Sequence, residues 1–180
     1  MTGALILVVG PSGVGKDTLL AGARDALAGD PGFVFAQRDI TRPPDAGGEA
    51  HRPVSQAEFD RIAGSGGYML HWAAHGLSYG LPIALQRLRQ AGVAVVANGS
   101  RATLAQARAT LAPVRVVAIT APAVMLRERL QARGRETPAE IEARVARAAA
   151  WPVAEADAAV INDGPATDGI TALVAAIRAA

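Results

Sequence analysis

A chain of 180 residues that is 51% hydrophobic but only 4% aromatic has single-domain size, and its core must be built from Ala, Val, Leu and Ile with little ring stacking. The absence of cysteine excludes disulfides and a thiolate metal site. A formal charge of +2, without clustered basic residues or aromatic platforms, gives no footing for nucleic-acid binding.

The first apolar run, "LILVV" at 5–9, follows no basic stretch and meets Gly10 and Pro11 at once, which argues against a secretion signal. No segment is long enough to cross a bilayer, so a cytoplasmic protein with no membrane partner is expected. The run leads into "GPSGVGKDTL" at 10–19, and a helix is predicted over about 17–28. The segment fits GxxxxGK between a strand and a helix, the setting a phosphate-binding loop requires. Gly10, Gly13 and Gly15, with Pro11, Ser12 and Val14 between them, let the backbone curl with its amides inward. The helix adds its positive N-terminal end, and Lys16, the only basic residue that is not arginine, can neutralise β- and γ-phosphate oxygens. ATP is the expected cofactor.

Asp17 stands where a Ser or Thr hydroxyl normally reaches magnesium. A carboxylate beside polyphosphate is tolerable when a cation lies between them, so Asp17 is expected to hold Mg²⁺ directly or through water. The alternative is that Asp17 caps the first turn and Thr18 takes the hydroxyl's place.

A second strand is predicted at 33–37, and residues 38–80 follow, rich in Gly, Pro and Arg. That stretch is too long for a plain crossover and reads as an insertion that carries function. Within it Glu49 either organises the segment or pairs with an arginine. His71 and His75 have the i, i+4 spacing of a zinc pair but no evident third ligand, so two half-buried histidines, or one touching substrate, are expected. A helix at 82–91 precedes the strand at 93–97, which ends on Asn98, where many phosphate-loop enzymes carry a magnesium-orienting Asp. A helix at 101–111 and a strand at 114–119 come next.

The helix predicted at 122–132 sets Arg129 and Arg133 four residues apart, where like charges repel unless an anion bridges them. "RGRE", containing Arg133 and Arg135, then reads as a mobile loop within a short lid at about 133–138. Thr137 as N-cap, Pro138 in the first position and Glu140 three residues after the cap start the helix at 138–150. In it Arg144 either pairs with Glu140 on the surface or reaches the transition state. A strand at 158–161, the turn "INDG" and a helix at 167–179 complete the chain. Strands alternating with helices predict an α/β fold, a parallel sheet of about five strands covered by helices on both faces.

Beyond the loop, "RDITRPPDAGGE" (38–49), "AEFDRI" (57–62), "YMLHWAAHGLSYG" (68–80), "RERLQARGRET" (127–137), "IEARVARA" (141–148) and "INDG" (161–164) follow in the order found in guanylate kinases. The version here, with GKD in the loop, ITRP, HW and NGSRA, resembles the related ribose 1,5-bisphosphate phosphokinases of phosphonate metabolism. The resemblance implies a nucleoside-monophosphate-kinase-like phosphate-loop NTPase fold, one kinase domain over 1–180. It also implies a lid that closes over ATP and uses arginines, hence Arg133, Arg135 and Arg144 as catalytic candidates and Arg129 on the nucleotide. Asn162 resembles the residue that contacts adenine in these kinases, although a turn-forming Asn is an equal account.

The departures fall on the acceptor site. Asp45 stands near a second phosphate-holding arginine of guanylate kinases, His71 replaces the acidic residue that reads guanine, and Asn98 replaces an Asp. A site without those base-reading groups binds GMP poorly. A phosphorylated sugar suits Arg38, Arg42, His71, His75, Tyr79 and Asn98 better, and Arg42 and Tyr79 match phosphate-contacting positions. The expected reaction is transfer of the γ-phosphoryl group of ATP to the 1-phosphate of ribose 1,5-bisphosphate. A nucleoside monophosphate kinase and a non-catalytic guanylate-kinase-like binding module are the two alternatives.

Overall fold

The computed structural model describes residues 1–43, 49–134, 136–150 and 155–180. Its main sheet has five strands, β1 (Leu5–Val9), β2 (Phe33–Phe35), β7 (Ala94–Asn98), β8 (Val114–Thr120) and β9 (Ala158–Ile161), in the order β2-β7-β1-β8-β9. Phe33 pairs in parallel with Ala94 at one edge, and Val117 with Ala158 at the other. All five residues of β1 are fully buried, which is why its sequence lacks the polar alternation of a half-exposed strand.

The chain forms two compact units. One comprises Met1–Ile6 and Gly29–Val114, the other Leu7–Ala28 and Arg115–Ala180. In the first unit the insertion predicted at 38–80 is built of short strands and a helix. It contains β3 (Asp39–Ile40), β4 (Arg52–Pro53), α2 (Gln56–Gly64), β5 (Tyr68–Ala74) and β6 (Leu77–Pro82), and the four strands form a second sheet in the order β4-β3-β6-β5. The β5–β6 hairpin turns at His75 and Gly76, both at positive φ (52° and 74°), the backbone that a two-residue hairpin loop demands.

Helix α2 starts where Ser55 accepts a hydrogen bond from the Glu58 amide, an N-cap. It buries Phe59 against Val54 and Tyr68, with the Phe59 and Tyr68 rings 4.8 Å apart. Beneath that ring pair Asp39, 2% exposed, accepts bonds from Arg52 Nε and Nη2 and from the Tyr68 hydroxyl. Burial first, and then the Asp39 carboxylate, pushes the Tyr68 phenol well above its usual value. The first unit also holds α3 (Ala84–Gln90) and, after a short 3₁₀ turn, α4 (Leu104–Thr110).

The second unit carries α1 (Lys16–Ala26), α5 (Ala123–Arg133), α6 (Pro138–Ala149) and α7 (Ala166–Arg178). Helices α1 and α7 approach so closely that a Cβ on Gly22 would lie 2.2 Å from Ile170 Cδ1. Leu126 and Leu130 of α5 pack on Ile141 and Val145 of α6, the i, i+4 stripes of two amphipathic helices. At the start of α6 the Glu140 amide donates to the Thr137 hydroxyl, and the Thr137 amide donates to the Glu140 carboxylate. This is the reciprocal cap that the sequence predicts.

Candidate nucleotide and acceptor sites

The glycine-rich loop joins β1 to α1 as expected. Gly13 and Gly15 have φ of 94° and 90°, values that L side chains rarely adopt. At Gly15 there is also no room, because a Cβ there would stand 2.5 Å from Asn162 Nδ2. The Lys16 ammonium group donates back to the Gly10 carbonyl at 3.3 Å, which curls the side chain over the loop it follows. Asp17 and Thr18 are exposed in the first turn of α1. Their oxygen atoms are of the hard donor type that suits magnesium. Among the described residues no cluster of three or more His, Cys, Asp or Glu could hold a metal ion, so any cation here needs phosphate oxygens or water as further ligands.

Three more predicted residues meet at the loop's back. Asn162 is 5% exposed, and its Nδ2 donates to the Val14 carbonyl at 2.7 Å. Arg129 donates from Nη1 to Val14 O at 3.3 Å and from Nη2 to Asn162 O at 3.1 Å. Both therefore brace the loop's backbone. Sequence spacing fails here because Arg129 reaches a carbonyl 115 residues away in the chain.

Arg144 of α6 donates to the Ser12 hydroxyl at 3.0 Å and pairs with Glu136 at 3.3 Å. Glu140, its predicted partner, is engaged in the helix cap instead. Arg133 is the last residue of α5, not part of a loop. It is exposed and has no hydrogen bond or ion pair among the described residues. Arg135 and Asp45 lie outside the described residues.

The acceptor candidates belong to the first unit. Arg38 donates from Nε to Glu49 Oε1 at 2.5 Å, and Asn98, at the end of β7, donates from Nδ2 to Glu49 Oε2 at 2.6 Å. Glu49 thus pairs with an arginine and ties the insertion to the strand tip, satisfying both readings left open from sequence. The Arg38 guanidinium lies over the rings of Tyr79 and Trp72, 4.9 and 5.5 Å from their centroids. Those two rings stack 5.4 Å apart, because Trp72 and Tyr79 are directly paired across the hairpin. Arg42 meets His51, whose ring nitrogens contact Arg42 Nη2, the Arg42 carbonyl and the Glu49 carbonyl at 3.2, 3.1 and 3.0 Å. Arg42 also borders an open groove of about 570 Å³ with Thr41, Ser55, Gln56 and Gly76.

The expectation of half-buried histidines is corrected. His71 is exposed on β5, and His75 is exposed at the tip of the hairpin. A strand and a turn do not bring i and i+4 side chains together as a helix turn does. Sequence reasoning missed Trp72 and His51. Trp72 stands in the quoted "LHW", but its partner is set by hairpin register. His51 carries no local signal at all.

No family model matches the chain. It is 54% identical over 162 residues to the ribose 1,5-bisphosphate phosphokinase of Acidiphilium cryptum, covering 90% of this chain and 85% of that protein. It is 46% identical to the ribose 1,5-bisphosphate phosphokinase of Methylobacterium radiotolerans over 99% of both chains. It also matches the bifunctional ribose 1,5-bisphosphokinase-thymidine phosphorylase of Azorhizobium caulinodans at 47% identity over 99% of its own length, while spanning only 26% of that protein. Among solved structures, guanylate kinase from Anaplasma phagocytophilum superposes with a TM-score of 0.73 at 19% identity, covering 99% of this chain and 86% of that one. A gluconokinase from Sinorhizobium meliloti gives 0.52 at 19%, covering 98% and 92%. These two likenesses establish the phosphate-loop NTPase fold and nothing beyond it.

Proposed function

The chain belongs to the ribose 1,5-bisphosphate phosphokinase family, and we propose on that premise that it transfers the γ-phosphoryl group of ATP to the 1-phosphate of ribose 1,5-bisphosphate, giving 5-phosphoribosyl 1-diphosphate and ADP. The working unit in this reading is one kinase domain of 180 residues, cytoplasmic and acting on a small phosphorylated sugar. The observation that carries the proposal is the complete loop. Gly13 and Gly15 are in left-handed backbone and Lys16 is in place at the head of α1, in a chain whose relatives are named for this reaction.

In the mechanism that follows, the loop N–H groups of residues 12–15 and the Lys16 ammonium group hold the β- and γ-phosphates. Asp17, or Thr18 beside it, would hold magnesium, which when bound would supply charge neutralisation. Arg144, already directed at Ser12 of the loop, is placed to add positive charge as the phosphoryl group moves, with Arg133 and Arg135 as further candidates. Arg42 and Tyr79 would hold the accepting phosphate. That phosphate oxygen is ionised before the reaction starts, so no side chain has to remove a proton from it. The rate enhancement then comes from alignment and charge stabilisation.

The test is ADP release, measured by coupled assay, over a panel of acceptors with saturating MgATP. Ribose 1,5-bisphosphate should be the best acceptor, with GMP and other nucleoside monophosphates slower by orders of magnitude. Faster turnover of GMP would overturn the proposal in favour of a nucleotide kinase. A protein that binds no ATP in calorimetry would be a binding module.

A further inference from the structure

The first unit contains three arginines with deeply placed or heavily bonded guanidinium groups, and one of them is incomplete. Arg89, 0% exposed, uses all three nitrogens: Nε on Gly3 O, Nη1 on Gln86 Oε1, and Nη2 on the Leu111 and Pro113 carbonyls. Arg52 likewise uses Nε and Nη2 on Asp39 and Nη1 on Glu58. Arg38 differs. Its side chain is only 9% exposed, yet Nε alone is hydrogen-bonded, to Glu49. Neither terminal nitrogen has a partner among the described residues.

An arginine does not shed its charge at ordinary pH, and the unpartnered terminal nitrogens of Arg38 reach the surface of an otherwise buried side chain, where they are open to a ligand. The inner edge of the Arg38 guanidinium is fixed by Glu49, which Asn98 holds from its other oxygen. Its face is fixed by the stacked Tyr79 and Trp72 rings. What is left is the two-pronged end, whose donor geometry matches a phosphate or carboxylate. Arg42 is held by His51 through Nη2, while its Nε is buried without a partner among the described residues. The unit therefore presents two guanidinium groups, one anchored by the Glu49 carboxylate and the other by His51, where an acceptor with a single phosphate needs one.

We infer that Arg38 reads the second phosphate of the acceptor, the one that does not receive the γ-phosphoryl group, and so selects sugar bisphosphates over monophosphates; this rests on the reading proposed above. Glu49, Asn98, Trp72 and Tyr79 are its positioning residues.

The test compares kcat/KM for ribose 1,5-bisphosphate and for ribose 1-phosphate, which keeps the accepting phosphate and loses the other, in the full-length protein with MgATP. Wild type should strongly prefer the bisphosphate. Arg38→Gln should shrink that preference by roughly 10²-fold or more, because a site built around a hydrogen-bonded group loses most when the group goes. Arg38→Lys, which keeps the charge but not the fork, should fall between the two, and it replaces Arg38→Gln in the ratio test if circular dichroism shows the glutamine variant unfolded. Equal losses on both acceptors, or an unchanged ratio, would overturn the inference while leaving the proposed reaction intact. A wild type that turns over neither acceptor would defeat the reaction and the inference together.

Discussion

Asn162, read from sequence as an adenine contact or a turn former, also ties the phosphate loop to the end of β9. Its side-chain amide reaches Val14 O while its backbone carbonyl accepts from Arg129, which also donates to Val14 O, so loop and strand end are joined by one direct bond and one arginine bridge. Asn162→Ala should remove the shorter of the two bonds to Val14 O and leave only that from Arg129 Nη1, at a cost of about 1 kcal/mol. Nucleotide titrations should then show ATP and GTP weakened alike, since the defect lies under the phosphates; a selective loss of ATP would restore the adenine contact. The glycines, Lys16 and the odd Asp17 were all legible as letters, because a phosphate loop is local in sequence. Asp17→Asn should shift the magnesium dependence of turnover to higher concentration, and an unchanged curve would pass the role to Thr18. Arg129 and His51 were not legible in these roles, because their partners are fixed by folding and not by spacing.

At the scale of elements, the α6 terminus was readable to the residue, since a cap is made by neighbours in the chain. Thr137→Ala should cost about 1 kcal/mol at pH 7 in denaturant unfolding. The Glu140 carboxyl is held below its ordinary 4.5 by the Thr137 amide first and the Thr137 hydroxyl second. A lowered folded value means the contribution is complete above 4.5, the unfolded value, and disappears as pH falls through the lowered one. Glu140→Gln should therefore flatten the acid side of the stability profile in that window. The small sheet was illegible for the opposite reason. Strands β3 and β4 have two residues each, too short for any alternation to register, and the hairpin has an irregularity between Tyr68 and Leu70.

For the molecule as a whole, long-range polar ties hold together what short elements cannot. Arg89 fastens the first residues of the chain, the end of α3 and the approach to β8 through the carbonyls of Gly3, Leu111 and Pro113. Burial lowers its pKa, a sign of what it costs to place a cation there. Arg89→Ala strands the Gly3 and Leu111 carbonyls, while Pro113 O keeps the Leu5 amide, and should destabilise the protein by about 2 kcal/mol or more, seen as a lower urea midpoint. Losses near zero would mean that water replaces the side chain. The parallel five-stranded sheet was predictable because its strands are mainly apolar runs, even where β2 has three residues and β9 four. The division of the chain into two units was not, since it cuts through β1 itself, inside one unbroken hydrophobic segment.

The ammonium group that rests on the Gly10 carbonyl is the protein's sole side-chain primary amine. Reductive methylation with ¹³C-formaldehyde would therefore yield a spectrum of two signals, one from the chain's α-amino group and one from Lys16. The second becomes a built-in reporter, free of mutagenesis, on whether a polyphosphate has arrived.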